Sequence, residues 1–304
     1  MNDHPYPVRF VIKSKLAANL VKRTPSFRGH IPVLSLIMKL LPVNREATMH
    51  VDESVFKMCL DYSTHLSYLK LSEYEALESS VVARTLLEGD NCLDIGANWG
   101  YFTALASHYV GSAGTVYSIE ANPTTFTRLN NMLRNSDVSN VRPFNLAVCH
   151  LDGQRLDFFK PFLASDAFGH LGKKSFFLDR KERVLSTTLD DFWRKVGKPV
   201  FRLVKIDVEG MEPLVLAGGK ECLEAGVTDC VLIEINSWTN ERSGKPYQIC
   251  YRLLTDYGFH HVYVPESGKY KKIDLKRDSL PYNKTLLFTR SAFSLESSNM
   301  ETSS

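Results

Sequence analysis

A mostly parallel α/β sheet with helices on both faces is the fold class this sequence predicts, on three observations. Between Asn91 and Tyr257 short apolar runs alternate with helical patterns, as strands joined by crossover helices do. The first strong run, Cys92 to Ile95, passes through a loop holding Gly96 and Gly100 into a helical pattern that starts near Tyr101. Polar residues stand at the carboxyl end of one run after another, where an open α/β sheet builds its ligand crevice.

The elements follow in order. Ser72 and Glu75 form a capping box ahead of Leu77, Val81, Val82, Leu86 and Leu87, so a helix is expected from Ser72 to Gly89, then the strand Asn91 to Ile95. A helix over Tyr101 to Val110, a strand over Thr115 to Ile119, a helix over Asn122 to Arg134 with Pro123 in its first turn, and a strand over Val141 to Val148 come next. Gln154 to Phe159 reads as a strand, Leu189 to Val196 as a helix, Phe201 to Ile206 as a strand and Glu212 to Gly218 as a helix. Val231 to Ile235 is a strand and Pro246 to Tyr257 a helix, and His261 to Val264, Tyr270 to Ile273 and Thr285 to Thr289 read as edge strands with an antiparallel member among them. Pro161 to Arg183 has no clean period and is expected as a long loop over the site, with His170 a weak candidate base. The polar stretch Ser291 to Ser304 is expected to be disordered.

With 304 residues, 44% hydrophobic and 23% charged, the chain can bury a sizeable core, and a net charge of only +3 gives no reason to expect a nucleic-acid partner. The charge is uneven: residues 1–50 carry eight Lys or Arg against two acids. Val8, Val11, Ile12, Leu16 and Leu20, then Ile31, Leu34, Ile37, Leu40 and Leu41, follow helical spacing there. Two roles suit such basic amphipathic helices: a cap packed on the main domain, or a peripheral membrane contact through residues 8–42. No apolar run reaches the roughly 20 residues of a membrane span, and Arg9, Lys13 and Lys15 interrupt any signal-like start. Six scattered cysteines without a C-x-x-C pair read as free thiols of a reducing compartment, so a cytoplasmic location is expected.

The glycines stand as G-x-x-x-G rather than the G-x-G-x-x-G of a dinucleotide site, and Asp94 precedes the first. A carboxylate there repels a pyrophosphate but can receive an ammonium, which suits a zwitterionic amino-acid nucleoside such as S-adenosylmethionine better than NAD. Glu120 ends the second strand 20 residues beyond Gly100, where a carboxylate accepts from ribose hydroxyls; a helix-capping role is its structural alternative. The segment Asn145 to Val148 closes the third strand. Asp207 and Glu209 close V-K-I-D-V-E-G; in an extended chain both would face one side, able to share a proton for general-base work or, with Glu234, to ligate a divalent cation. The plainer reading has one of them capping the helix near Glu212 and the other pairing with Lys205.

Together C-L-D-I-G-A-N-W-G-Y-F-T, Y-S-I-E-A-N-P, the N-L-A-V segment followed by Asp152-Gly153, T-T-L-D-D-F, V-K-I-D-V-E-G-M-E and V-L-I-E resemble the FkbM-type family of S-adenosylmethionine-dependent methyltransferases. The resemblance covers roughly residues 85 to 290 and implies a class I methyltransferase fold, Rossmann-like, with a seven-stranded sheet. It implies methylation of hydroxyl groups, often on sugars or natural products, so the expected partner is a small-molecule or glycan acceptor. Asp94, Gly96, Asn98, Gly100, Glu120 and, in the N-L-A-V segment, Ala147 are then assigned to the cofactor, and Asp207 and Glu209 to catalysis. Mg²⁺ assistance is a less favoured variant, and no metal ligand is assigned. The expected organisation is a basic helical extension over 1–72, a methyltransferase domain over 73–290 and a tail over 291–304. A non-catalytic cofactor-binding scaffold working through the basic helices is the alternative.

Overall fold

The computed structural model describes residues 8–12, 46–59, 75–160, 170–171, 180–236, 244–266, 269–275 and 277–292. Its first three strands, β1 (Val8–Ile12), β2 (Glu46–Val51) and β3 (Ser54–Cys59), form an antiparallel sheet. This corrects the helical reading of Val8, Val11 and Ile12, a span too short to distinguish a period of 3.6 from one of 2. The hairpin itself alternates: Ala47, Met49 and Val51 on β2 and Phe56 and Met58 on β3 are buried. Asp52, at φ 47°, supplies the left-handed turn residue between them. The helical spacing from Leu16 to Leu41 falls on residues outside those described, as does Ser72.

The main domain opens with α1 (Ala76–Thr85), β4 (Asn91–Ile95), α2 (Tyr101–Val110), β5 (Thr115–Ile119), α3 (Pro123–Asn135) and β6 (Val141–Phe144). Helix α1 starts after Glu75, whose side chain makes no cap bond, and ends at Thr85 rather than Gly89, because Leu86 turns to extended backbone. Helix α3 has Pro123 at its start and the Asn122 side chain accepting from the N–H groups of Thr124 and Thr125. The predicted strand over 141–148 divides: β6 stays in the main sheet, and β7 (Ala147–Val148) enters a second one with β8 (Arg155–Lys160), β9 (His170–Leu171) and β10 (Arg180–Thr187), in the order β7-β10-β8-β9. The stretch expected as loop therefore contains β9 and the start of β10, while 161–169 and 172–179 lie outside the described residues.

The rest is α4 (Leu189–Lys195), β11 (Phe201–Ile206), α5 (Glu212–Ala217), α6 (Lys220–Glu224), β12 (Thr228–Ile235), α7 (Gln248–Asp256), β13 (His261–Glu266), β14 (Lys269–Ile273) and β15 (Lys284–Thr289). The main sheet has eight strands where seven were expected, in the order β14-β13-β15-β12-β11-β4-β5-β6. Strands β6, β5, β4, β11 and β12 run parallel; β15 is antiparallel between β12 and β13, and β14 adds an antiparallel edge. It is a class I methyltransferase-like α/β fold.

Alternation along the strands sends side chains to two cores. Cys92, Leu203 and Leu232 pack with α1, α2, α3 and the amino-terminal hairpin, and Leu93, Val204 and Ile233 pack with α4 to α7. By the same parity Asp94, Lys205 and Glu234 project toward the α1–α2 side, so three charged residues enter an otherwise apolar layer.

Candidate active site

Beyond β4 the chain turns through Gly96 to Gly100. Gly96 has φ 85°, and a Cβ on it would collide with the Asp207 carbonyl oxygen, so glycine alone lets the loop lie against the end of β11. The Ile119 carbonyl accepts from the N–H groups of Gly96 at 2.9 Å and Ala97 at 3.0 Å. The N–H of Asn98, at φ 52°, donates to Glu120 Oε2 at 2.8 Å, and Glu120 Oε1 accepts from Asn122 N–H at 2.7 Å. Glu120 thus straps the glycine loop to the start of α3, while Asn122 does the capping. Burial pushes the Glu120 carboxyl up to about 7 against the pull of the bonds from Asn122 and Asn98. Gly100, at φ 101°, serves packing: a Cβ there would strike Met132 and Leu129 of α3.

Asp94 is 1% exposed. Its Oδ2 accepts from Thr103 Oγ1 at 2.7 Å, and Thr103 lies 2.9 Å from Ser118, so one hydroxyl of α2 joins neighbouring strands. Asp94 is in register with Ser118 on β5 and with Lys205 on β11, which makes a buried polar row across three strands. Burial raises its carboxyl above the ordinary range, opposed by Lys205 and Thr103. Two buried oxygens at this end of the sheet, Asp94 Oδ1 and Asn98 Oδ1, have no hydrogen-bond partner among the described residues.

The row continues into the expected catalytic pair, with a correction. Strand β11 ends at Ile206, and Glu209 and Gly210 follow in a turn with φ 54° and 100°. Asp207 and Glu209 are therefore not alternate residues of an extended strand. The carboxyl partner of Asp207 is Glu234 on β12, to which its side chain is hydrogen-bonded. Asp207 Oδ2 also lies 3.0 Å from Lys205 Nζ, the pairing the plainer reading expected. At the start of α5 the N-cap residue is Met211, and Glu212 folds back, its Oε1 accepting from Val208 N–H and Gly210 N–H at 3.1 Å each.

The two carboxyls divide one proton. Asp207 raises Glu234, helped by burial and by their hydrogen bond. Burial opposes ionisation of Asp207, but Lys205 and the bond from Glu234 hold it below its ordinary value. The two shifts run in opposite directions, Asp207 toward its ionised form and Glu234 toward its protonated one. Both residues line a cavity of about 350 Å³ at the carboxyl end of β11 and β12, with Lys205, Phe102, Glu78 and Thr285 among its other walls. Among the described residues no group of three or more His, Cys, Asp or Glu is gathered so that it could hold a metal ion.

Of the expected cofactor residues, Asp94, Gly96, Asn98, Gly100 and Glu120 converge on the loop between β4 and α2. Ala147 is buried on β7 with Phe158, Val184 and Met211, on the side of the second sheet. His170 stands in β9 opposite Phe159. Sequence reasoning gave Lys205 only a structural role and Glu234 only a metal-binding one; a lone cation inside the apolar run L-V-K-I was the legible signal.

Residues 94–263, more than half of the chain, match the Methyltransferase FkbM domain, and the chain belongs to that family. No curated protein matches it in sequence. Among solved structures it is similar to a methyltransferase FkbM from Methylobacillus flagellatus KT, with 14% identity over 75% of this chain and a TM-score of 0.43; it spans only 54% of that protein's length. It is similar to Aeropyrum pernix fibrillarin in complex with natively bound S-adenosyl-L-methionine (12% identity, 80% of this chain, 93% of that one, TM-score 0.40). It is also similar to a SAM-dependent O-methyltransferase from Thermotoga maritima (15% identity, 72% and 66% coverage, TM-score 0.39). No helix among the described residues is long and apolar enough to cross a membrane.

Proposed function

We propose that the chain is an S-adenosylmethionine-dependent methyltransferase that methylates a hydroxyl group of a small sugar, glycan or natural product, with Asp207 as the base. The observation that carries this reading is the Asp207 carboxyl, 3.0 Å from Lys205 Nζ and lining one cavity with Glu234, on a residue whose backbone carbonyl lies against the Gly96 turn. Family membership supports the methyl-transfer chemistry.

The residues fit the cofactor. Asp94 Oδ1 and Asn98 Oδ1 are buried acceptors that lack donors among the described residues, which an amino-acid nucleoside can supply, and Glu120 would hold the ribose hydroxyls. When bound, the cofactor supplies an electrophilic methyl group on a sulfonium. The chain's own residues do the rest. The cavity holds the acceptor beside the glycine loop, and Asp207 orients its hydroxyl and takes the proton. Orientation of this kind contributes up to roughly 7 to 11 kcal/mol. Glu209 stays in the proposal as a carboxylate of the same turn. Six free cysteines, five of them buried, support a reducing and so cytoplasmic setting, and residues 8–42 stay in the proposal as a candidate peripheral membrane contact.

Calorimetric titration with S-adenosylmethionine, followed by incubation with methyl-labelled cofactor and fractionated cell extract, tests the reading. Saturable binding and label recovered as a methyl ether support it. A chain that binds no cofactor, or that labels only nitrogen or carbon, sinks it.

A further inference from the structure

Lys205 is a charge in the middle of an apolar strand, and the methyl-transfer reading has so far given it no task. Its side chain keeps 7% of its surface, and its Nζ stands 4.5 Å from the centre of the Phe102 ring. Taking an ammonium out of water is costly, and an apolar residue would serve strand packing as well or better. The cation repays its place only through what it does to its neighbours.

We infer that Lys205 is a positioning residue for methyl transfer: its buried ammonium fixes the Asp207 carboxylate as the group facing the cavity and leaves Glu234 as the member of the pair that carries the proton. The inference rests on the methyl-transfer reading above. The charges around Asp207 show why a cation is needed. From the strand before it comes Lys205; from β12, Glu234; from β4, Asp94 behind Lys205; from α1 and the residue that precedes it, Glu78 and Glu75; from the start of β15, Lys284; from its own turn, Glu209; and from the start of α5, Glu212. Carboxyls outnumber cations, and the Lys284 ammonium is engaged at 3.2 Å by the Pro265 carbonyl. Without Lys205 the pair would draw a second proton, and Asp207 would lose its function as a base. Burial pulls the lysine toward neutrality, yet Asp207, Asp94 and Glu75 together hold it above its ordinary value.

The proton count then closes. As the acceptor oxygen forms its bond to carbon, the carbon–sulfur bond breaks with its electron pair passing to sulfur, and the hydroxyl proton moves to Asp207. Glu234 keeps its own proton. Asp207, with 29% of its side-chain surface open, returns the added one to water through the cavity.

The test uses the full chain with carboxyl-¹³C Asp and Glu, its signals assigned with Asp207→Asn and Glu234→Gln. In the wild type Asp207 should ionise first and Glu234 last; the reverse order overturns the inference without needing any variant of Lys205. In Lys205→Met the Asp207 signal should titrate about 1 to 3 pH units higher, and in Lys205→Arg it should return toward the wild-type position. Transfer of labelled methyl into cell extract should follow: the acid limb of its pH profile moves up in Lys205→Met by the same interval and is restored in Lys205→Arg. An unmoved Asp207 titration or an unmoved acid limb overturns the inference. Should the wild type transfer no label at all, the methyl-transfer reading fails, and the carboxyl titration still decides what Lys205 does to Asp207.

Discussion

Gly96 and Asp207 meet where β4 and β11 end side by side: the Asp207 carbonyl oxygen fills the space a Gly96 side chain would need, and the Asp207 N–H donates to the Ile95 carbonyl at 3.0 Å. The loop assigned to the cofactor and the residue assigned to catalysis are thereby set against one another by backbone alone. Gly96→Ala should disturb both at once. With its φ of 85° and no room for a Cβ, we expect a loss of about 1 to 3 kcal/mol in urea unfolding. Cofactor affinity, followed by calorimetry, should fall with it.

Asp207→Asn keeps the shape of the side chain and removes the base. Single-turnover transfer from labelled cofactor should drop by about 10² to 10⁴, while the cofactor dissociation constant stays within a few-fold of the wild type. A collapse in cofactor affinity would place Asp207 with the binding residues instead. Glu209→Ala should cost less turnover than Asp207→Asn, because Asp207 lines the cavity and Glu209 is not among its walls.

Glu120 and Glu212 are both pushed by burial from 4.5 to about 7. A carboxyl whose value is raised on folding adds stability that is full below its unfolded value and lost as pH rises through its folded one. Unfolding free energy should therefore decline between about pH 4.5 and 7, by up to roughly 3 kcal/mol for each group. Urea melts across that range should show the slope in the wild type and a shallower one in Glu212→Gln.

The amino-terminal hairpin is part of the core. Met49 is 0% exposed within the cluster that also holds α2 and α3, and the Lys57 N–H donates to the Ser136 hydroxyl at the end of α3. Met49→Ala should cost about 2 to 5 kcal/mol in chemical denaturation. A change below 0.5 kcal/mol would mean that this sheet is not docked in solution.

The parallel strands were readable because each is a short apolar run with a polar end, and the observed bounds of β4, α2, β5 and β11 coincide with the expected ones. The hairpin was equally readable and was missed: Ala47, Met49 and Val51, then Phe56 and Met58, alternate around Asp52-Glu53, but neighbouring basic residues drew the reading toward amphipathic helices. At the site, single residues that answer to a local rule, such as Gly96 and Glu120, could be found from spacing. The Asp207–Glu234 pair could not, since it depends on β12 lying beside β11 and on Glu209 taking a left-handed turn, and neither is written in V-K-I-D-V-E-G. That Gly100 also makes room for α3, where a Cβ would strike Met132 and Leu129, is a requirement only packing reveals.

The two borders of the main sheet are guarded by composition. On β6 the outermost strand carries Pro143, which has no N–H to offer, and on β14 Lys269, Lys271 and Lys272 are exposed around the buried Tyr270. A second molecule approaching either border would meet a broken ladder or a row of like charges. At high concentration the sheet therefore resists growing from one chain into the next, and the protein can carry a long, largely parallel, apolar sheet without inviting fibrous stacking.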